Sequence, residues 1–432
     1  MSAGIHFVGE AGAAMPSSDT WRRQAQALLA EVADATRDGP GITRESYGAG
    51  EDAALRLLEQ RAAAMGLACE YDRACNLWMR LPEDARDEPV VVIGSHVDSV
   101  PQGGNYDGLA GVVAGMLVLA TLRGRHADAP PVRVLALRGE ESAWYGRAYM
   151  GSMALLGRLP AAALQLPHRA GPAHGTLGEA MARCGADVSA IAQGTPLLPC
   201  PIAAYLELHI EQGPVMVARG WPVAAVTGIR GNVRHNRVRC LGEAGHSGAV
   251  PRWLRKDAVL AVAQLLSRMD EHWRVLLQMG MDLVMTSGIC TTPAHSHAVS
   301  VIPGEVQFSF EARSQDAGTL ERFHALMLDE CRAIAAERGV RFEFDDRLHT
   351  PPATMDEGWI QRFEDVAARA GQTLERIPSG AGHDAAVFAA AGTPAAMLFV
   401  RNAHGSHNPQ EAMDIGDFMQ GTQWLAEGLL RD

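Results

Sequence analysis

Five residues of metal-binding types each lie in a short loop after an apolar run of this chain. They are His96, Asp107, Glu141, His209 and His407. The apolar runs predict buried strands, and open α/β sheets collect their functional residues just beyond the carboxyl ends of such strands. Three imidazoles and two or three carboxylates gathered there are enough ligands for two divalent metals that share one carboxylate. The pattern therefore predicts a two-metal hydrolase.

Two further carboxylates could handle protons. Glu140 directly precedes Glu141, and neighbouring side chains in an extended segment point to opposite sides. One of the pair could then bind metal while the other faces a substrate and accepts a proton from water. Asp98 lies two residues after His96, where its carboxylate could accept the other imidazole N–H and fix the metal-binding tautomer.

Each of these residues has a structural alternative when it is taken alone. Asp107 could form a simple Asp-Gly turn, Glu140 and Glu141 a solvated acidic turn, and His96 a polar loop. The prediction depends on the convergence of the set. A nucleotide-binding enzyme is not favoured, because the glycines of 103–115 match neither a P-loop nor G-x-G-x-x-G.

Composition and charge limit the class of protein. The chain has 432 residues, a length that predicts two domains. Of these residues 47% are apolar and 20% are charged, which is typical of a globular protein. A net charge of −12 argues against a nucleic-acid partner. Seven scattered cysteines without a C-x-x-C pair favour a reducing compartment over a disulfide framework. Residues 1–18 lack the features of a signal peptide, and no run is long enough to span a membrane, so we expect a cytoplasmic protein.

The first half of the chain alternates between strand and helix patterns. A cap at Ser17, Ser18 and Asp19 predicts a helix over 21–36. Further helices are predicted over 52–65 and 108–122, the latter between strand-like runs. Alternating strands and helices predict an α/β domain with a largely parallel sheet and helices on both faces.

The pattern changes between 227 and 351. Strands are predicted over 232–240, 301–312 and 340–345, with helices over 255–277 and 316–338. These elements would form a small α+β layer with two helices on one face of a sheet. The chain then returns to helix, strand and helix and supplies His407. We therefore predict a catalytic domain formed by 1–220 and 352–432 around an inserted domain of 221–351.

The residues around these positions form characteristic blocks in one order from residue 94 to 413. They read GSHVDSVPQGGNYDG, EESAWYGRAYMGS, ELHIEQGPV, GEAGHSGAVP with RKDA, VIPGEV…EAR, PSGAGHDA and GSHNPQEAM. The chain thereby resembles the hydantoinase/carbamoylase branch of the M20 metallopeptidase superfamily. That branch includes N-carbamoyl-L-amino-acid hydrolases, β-ureidopropionases and allantoate amidohydrolases. ELHIEQGP and SGAGHDA are the specific blocks, whereas GSHxD alone indicates only the wider superfamily.

The resemblance implies a ligand set and a proton acceptor. One metal would be held by His96, Asp107 and His209, and the other by Asp107, Glu141 and His407, with Asp107 bridging. Glu140 matches the general base, and Asp98 matches the carboxylate behind His96. Relatives of this branch use zinc or manganese, and cobalt or nickel are candidates in vitro.

The resemblance also implies roles for residues of the insert, which would be a dimerisation and lid domain. His246 matches a histidine that reaches the other subunit's site and stabilises the oxyanion of the tetrahedral intermediate. Arg313 matches the arginine that holds the substrate carboxylate, as a bidentate guanidinium can. Gln212 and His383 match further substrate-pocket positions.

One position departs from the family pattern. Ser300 stands where members usually carry asparagine before the Val-Ile-Pro-Gly turn. In those members the asparagine contacts the substrate near its carboxylate. The shorter serine hydroxyl should therefore enlarge this part of the substrate pocket or change its hydrogen bonds. The loss of such a hydrogen bond changes discrimination by about 1–3 kcal/mol.

The expected reaction is hydrolysis of an N-carbamoyl amino acid, or a close relative, to the amino acid, carbon dioxide and ammonia. The substrate would be a small carboxylate, and the enzyme a homodimer. Two alternatives stay open. An N-acyl amino acid hydrolase or dipeptidase could use the same scaffold, although ELHIEQGP argues against it. A binding protein on a retired hydrolase fold is disfavoured, because the full ligand set and Glu140 are present.

Overall fold

A computed structural model describes residues 18–430, which divide into two compact units. The first unit runs up to Thr227 and resumes at Met355, and the inserted unit is Gly228–Thr354. Ser17, one of the predicted cap residues, lies outside the described residues. So does nearly all of segment 1–18, for which we predicted no signal peptide. Within the described residues, no helix combines the length and apolar character needed to cross a membrane.

The helices and strands alternate along the chain as follows. The α-helices are α1 Ser18–Ala35, α2 Ala49–Ala64, α3 Leu109–Leu122, α4 Met150–Leu155, α5 Leu177–Arg183, α6 Val188–Ala192, α7 Val215–Arg219, α8 Ala258–Gln278, α9 Ala317–Arg338, α10 Glu357–Arg369, α11 Asp384–Ala390 and α12 Ile415–Leu429. The strands are β1 Arg37–Asp38, β2 Gly41–Ile42, β3 Ala68–Tyr71, β4 Leu77–Arg80, β5 Val90–His96, β6 Val132–Leu137, β7 Ile202–Ile210, β8 Val223–Ile229, β9 Gly231–Leu241, β10 Gly245–His246, β11 Val284–Thr286, β12 Cys290–Thr291, β13 Val301–Ile302, β14 Glu305–Ser314, β15 Arg341–Phe344, β16 Leu348–Thr350, β17 Ala353–Thr354, β18 Glu375–Ser379, β19 Ala395–Val400, β20 Asn402–Ala403 and β21 Ala412–Met413.

A mixed sheet forms the centre of the first unit. Its strands run in the order β8-β19-β7-β5-β6-β4-β3. The four central strands, β19, β7, β5 and β6, are parallel, and antiparallel strands flank them on both sides. Strands β5 and β19 are buried throughout, which explains why they are almost continuously apolar. The predicted α/β mixed-sheet fold is confirmed.

Strand β7 shows that helices cover both faces of this sheet. Side chains alternate between the faces of a strand. The Tyr205 ring stacks on Phe388 of α11 with 4.0 Å between ring centroids. Leu208, on the opposite face, lies close to Gly421 of α12. The polar residues of β7 that follow Tyr205 at even spacing therefore face α11.

The inserted unit has its own sheet and core. Its main strands run in the order β11-β14-β9-β15, with β12 also beside β14 and β16 also beside β9. Every second residue of β14 is buried, and helices α8 and α9 both pack against β14 and β9. The prediction of one strand over 301–312 is wrong, because Pro303 and Gly304 separate β13 from β14. The short strands β11, β12 and β16 were not predicted.

Candidate metal centre and active site

The predicted ligands of the first unit meet at one edge of the central sheet. His96 is the last residue of β5, and His209 is the penultimate residue of β7. Glu140 and Glu141 follow β6, which is parallel to β5. Because the carboxyl ends of parallel strands lie on the same edge, these side chains converge there.

Asp107 lies at the centre of the cluster, in the loop before α3. Its Oδ1 lies 3.3 Å from His96 Nε2 and 3.2 Å from His209 Nε2. Its Oδ2 lies 3.4 Å from His407 Nε2 and accepts a hydrogen bond of 2.7 Å from the Gln212 amide. The contacts with the three imidazoles lower the Asp107 pKa well below its usual value, although burial acts in the opposite direction. The carboxylate is therefore ionised and is shared by all three histidines.

The hydrogen bonds of the two buried histidines leave Nε2 as the coordinating atom. His96 Nδ1 lies 3.0 Å from the carbonyl oxygen of Asp98, and His209 Nδ1 lies 2.8 Å from that of Ile210. When each imidazole is neutral and its Nδ1 donates to this carbonyl, Nε2 has a lone pair; that of His209 also accepts the Gly108 N–H at 3.2 Å. Asp107 Oδ1 is buried without a hydrogen-bond partner among the described residues. Converging lone pairs around an unpartnered buried carboxylate oxygen fit a bound cation.

A second group of possible ligands shares Asp107. His407 Nε2 lies 3.3 Å from Glu141 Oε1, and these two residues with Asp107 could hold another ion. The His407 side chain is 51% exposed, whereas those of His96, Asp107 and His209 are buried, so the centre opens toward solvent at His407. His407 also adopts a left-handed backbone with a φ of 61°, and such strain is common at functional sites.

Glu140 lies beside the ligands on a loop that Asp98 holds. Asp98 accepts the backbone N–H groups of Glu140 and Glu141, each at 3.0 Å. Its carboxylate also lies 3.3 Å from His96 Nδ1, slightly farther than its own carbonyl oxygen. Burial raises the Glu140 pKa well above its usual value, and the nearby carboxylates of Glu141 and Asp384 act in the same direction. Glu140 is therefore a carboxyl group that holds a proton readily.

Gly108 shows how closely the backbone surrounds the centre. Its φ is +68°, and an added Cβ would lie 2.5 Å from the His96 carbonyl oxygen and 2.6 Å from the His96 ring. Only glycine allows this turn to place Asp107 against His96.

Glu207, His209 and His383 form a third group with metal-ligand spacing, but hydrogen bonds already satisfy it. Glu207 accepts the Ser95 hydroxyl at 2.7 Å and the Ala385 N–H at 3.1 Å. His383 Nε2 lies 2.9 Å from the Ser379 hydroxyl, and burial and His209 lower the His383 pKa well below its usual value. A neutral His383 whose ring contacts His209 edge-on supports that ligand from behind.

Three of the predicted site residues lie in the inserted unit. His246 is exposed, and its Nδ1 accepts the Gly248 N–H at 3.1 Å, so the proton is on Nε2. Ser300 is exposed, and its carbonyl oxygen accepts the Ser247 N–H at 2.9 Å. Arg313 lies on β14 with one guanidinium nitrogen 3.1 Å from Glu311. Their predicted roles stay predictions.

Sequence reasoning missed several residues around the centre. The Ser406 hydroxyl lies between Asp107 and Glu411, and Glu411 accepts the Tyr106 N–H at 2.7 Å. Both residues belong to the block GSHNPQEAM, so their closeness to His407 was the available signal. Glu211, two residues after His209, accepts the N–H groups of Val215 and Met216 and so caps the turn there.

Possible metal ligands at the strand ends of a mixed α/β sheet, with a carboxylate beside them, are a typical arrangement of a hydrolase active site. The chain belongs to peptidase family M20/M25/M40, whose family model matches residues 92–431. The prediction of an amidohydrolase that acts on linear amides is confirmed.

Two curated relatives and one solved structure cover nearly the whole chain. An N-carbamoyl-L-amino acid amidohydrolase of Geobacillus stearothermophilus is 34% identical over 388 residues, which is 89% of this chain and 92% of the relative. An allantoate amidohydrolase of Escherichia coli (strain K12) is 31% identical over 390 residues, with the same coverage. A crystal structure of an amidase of the hydantoinase/carbamoylase family from Burkholderia multivorans matches with a TM-score of 0.84 and 28% identity, over 95% of this chain and 97% of that chain. The predicted branch of the family is confirmed.

Proposed function

We propose that the protein removes the carbamoyl group of an N-carbamoyl amino acid with the help of two divalent metal ions. The single observation that carries the proposal is the pair of three-residue groups that share Asp107, with Glu140 beside them. The similarity to an N-carbamoyl-L-amino acid amidohydrolase over 89% of the chain supports the choice of substrate.

The ligand sets suggested by the geometry are His96, Asp107 and His209 for one ion, and Asp107, Glu141 and His407 for the other. Two dications bound there would polarise the substrate carbonyl and make a water molecule easier to ionise. Imidazole and carboxylate ligands suit zinc or manganese, which are our candidates for the native metal.

Glu140 would move the proton in the reaction. It takes a proton from the attacking water, whose oxygen bonds to the carbamoyl carbon, and returns it to the amino acid nitrogen as the C–N bond breaks. The products are the amino acid and carbamate, which decomposes to carbon dioxide and ammonia. The raised pKa of Glu140 suits a group that accepts a proton and then gives it back.

Gln212 supports a ureido substrate over an acyl one. Its amide nitrogen donates to Asp107, whereas its buried Oε1 has no hydrogen-bond partner among the described residues. A terminal ureido N–H could fill this position, and an N-acyl group has no such donor. Sites built to bind an N–H strongly reject analogues that lack it.

Residues of the inserted unit, together with His383 of the first unit, would complete the substrate site. We propose that Arg313 binds the substrate carboxylate, that His246 donates its Nε2–H to the oxyanion, and that His383 and Ser300 shape the pocket. The tautomer of His246 supports a donor role, because Gly248 occupies its other nitrogen.

Allantoate is a second candidate substrate. Two of the curated relatives are named allantoate amidohydrolase, at 31% and 32% identity. Allantoate is also a ureido carboxylate, so the same centre could act on it. Ser300 would be one of the residues that separate the two substrates.

The experiment is an ammonia-release assay with metal-stripped protein that is reloaded with manganese or zinc. The panel contains N-carbamoyl-L-amino acids, N-carbamoyl-β-alanine, allantoate, and N-formyl and N-acetyl amino acids. Metal-dependent ammonia from a ureido compound supports the proposal. Amine release only from acyl compounds or dipeptides would overturn the ureido assignment.

The same panel tests Ser300. We expect Ser300→Asn to change the ratio of kcat/KM values between substrates by about 10-fold, as the gain or loss of one hydrogen bond to the substrate does. An unchanged profile would exclude Ser300 from the pocket.

A further inference from the structure

A polar segment that follows β2 and includes the first residues of α2 lies behind the candidate metal centre. It covers residues 44–51 and reads RESYGAGE. Its Arg44, Ser46 and Glu51 side chains are completely buried. Buried charged and polar groups are costly unless they are fully hydrogen-bonded, so their partners reveal what the segment does.

Arg44 holds the loop that connects two of the proposed ligands. Its Nε donates to the Val97 carbonyl at 2.5 Å, and its other nitrogens donate to Asn105 at 3.2 and 3.3 Å. The Arg44 backbone N–H donates to the Ser99 hydroxyl at 2.9 Å. These contacts span the stretch from His96 to Asp107.

Ser46 holds the carboxylate behind the centre. Its hydroxyl donates to Asp98 Oδ2 at 2.5 Å. The same oxygen accepts the Glu141 N–H, while the other Asp98 oxygen accepts the Glu140 N–H. Ser46 thereby orients the group that positions both glutamates and contacts His96.

Glu51 holds the start of the loop that carries Glu140. Its two oxygens accept the N–H of Tyr47 at 2.8 Å, the N–H of Gly139 at 2.9 Å and a guanidinium N–H of Arg138 at 2.7 Å. Arg138 also donates to Asp52 at 2.7 Å, but Asp52 is partly exposed. Glu51 is therefore the carboxylate that joins the segment to the backbone beside Glu140.

A buried ionic network such as this one is weak evidence of a stabilising role. Replacing a buried ionic network with apolar residues of similar volume is often neutral or stabilising. A network that fixes two loops is useful where side chains must be held to within about 0.5 Å. The partners of 44–51 are the loops that carry the proposed ligands and Glu140.

We propose that residues 44–51 position the metal centre, with Glu51 acting through Gly139, Ser46 through Asp98, and Arg44 through the loop of 97–105. These are positioning residues, since none of them touches the proposed ligand atoms. The expected effect on kcat rests on the proposed function, whereas the expected effect on metal affinity rests only on the geometry of the proposed ligands.

The test compares Glu51→Gln with Asp52→Asn in the full-length, metal-stripped protein. Both changes remove a carboxylate from Arg138, but only Glu51 also accepts backbone N–H groups. A glutamine side chain has a single acceptor oxygen, and its NH2 group cannot accept a hydrogen bond. In Glu51→Gln at least one of these N–H donors therefore loses its acceptor. Ser46→Ala is the second variant, which keeps the inference testable if Glu51→Gln fails to fold.

Two readouts are measured: the Kd for Mn2+ by isothermal titration, and kcat and KM on the best panel substrate. We expect Glu51→Gln and Ser46→Ala to weaken Mn2+ binding by about 10-fold or more, and to lower kcat by about 10–100-fold with KM nearly unchanged. For Asp52→Asn, both the Kd for Mn2+ and kcat should stay within about 3-fold of wild type, the range usual for surface substitutions.

The inference is overturned if Glu51→Gln and Ser46→Ala bind Mn2+ as wild type does, or if Asp52→Asn loses as much as Glu51→Gln. Failure of the proposed function would look different. The wild-type protein would then release no ammonia from ureido compounds, while the difference in Mn2+ affinity between the Glu51 and Asp52 variants would remain.

Discussion

Asp107 shows how a single residue can indicate a metal centre. It is a buried carboxylate faced by the Nε2 atoms of three histidines, and one of its oxygens has no hydrogen-bond partner among the described residues. A buried charge in such surroundings is stable only beside positive charge. Cations held by the surrounding ligands would supply that charge without protonating the imidazoles.

Glu140→Gln separates proton transfer from metal binding. The amide keeps the size of the side chain but cannot accept a proton from water. We expect kcat to fall by about 10²–10⁴-fold, the usual contribution of a general base. Metal content, measured by mass spectrometry after dialysis, should stay at the wild-type level. A variant that keeps its activity would exclude Glu140 as the base.

Gly108→Ala tests the close approach of the backbone to His96. The new Cβ would lie 2.5 Å from the His96 carbonyl oxygen, in addition to the strain of a φ of +68°. The control is Gly124→Ala, because Gly124 has a φ of +75° and no atom within 4 Å of the added Cβ.

The positive φ alone should cost Gly124→Ala about 1–2 kcal/mol of unfolding free energy, and Gly108→Ala should lose more, because its ψ of −52° lies outside the left-handed helical region. Only Gly108→Ala should also weaken metal binding, by about 10-fold or more, since it displaces a proposed ligand. Urea unfolding and titration with Mn2+ measure the two effects. Equal metal affinity in both variants would show that the contact with His96 is unimportant.

At the scale of elements, helices were the most predictable features. Helix α1 was expected over 21–36 and α3 over 108–122, and the structure has Ser18–Ala35 and Leu109–Leu122. Their signals are local, because caps and apolar spacing lie within each element. The division of 301–312 into two strands was missed, although Pro303 and Gly304 were visible in the sequence.

The candidate site was predictable where its residues lie at the ends of buried strands, as His96 and His209 do, or follow one, as Glu141 does. The supporting segment was not predictable in this way. Ser46 and Glu51 are ordinary polar residues in the sequence, and their partners lie 52 and 88 positions away at Asp98 and Gly139. The local sequence pattern carries no information on contacts between residues so far apart in the chain. Tertiary packing decides whether Ser46 and Glu51 are buried.

A histidine pair links α9 to β9 in the inserted unit and should make that unit sensitive to acid. His324 Nε2 lies 3.0 Å from His235 Nε2. Burial lowers the His324 pKa to about 4, and the charges of Arg347 and His235 act in the same direction, while Glu321 opposes them. Asp345 faces the other nitrogen of His235.

The unfolded chain binds a proton on His324 near pH 6.5, whereas the folded unit does so only near pH 4. The contribution of His324 to stability is therefore present above pH 6.5 and is lost as the pH falls toward 4. We expect Tm to drop less steeply with acidification in His324→Gln than in wild type. His295→Gln, on an exposed loop, is the control. Parallel curves for wild type and His324→Gln would contradict the prediction.

At the scale of the whole molecule, the proposed metal ligands all come from the first unit, while His246 and Arg313 come from the inserted unit. Helix α8 of the inserted unit packs its buried side chains on the sheet and exposes apolar ones elsewhere. The exposed ones include Val259 at 40%, Leu260 at 45% and Leu277 at 48%. Exposed apolar residues of this kind can lie in an interface, and we propose that a second copy of this chain covers them.

Leu277→Arg tests both the dimer and the reach of His246. A charge buried in an apolar interface is strongly unfavourable, so the variant should elute as a 46.1 kDa monomer in light-scattering chromatography, where wild type should have twice that mass. Gln361→Arg adds the same charge on α10 of the first unit and should stay dimeric. If His246 acts on the other subunit's substrate, kcat must fall with the fraction of monomer. A fully active monomer would contradict that role, because each first unit would then work without its partner's histidine.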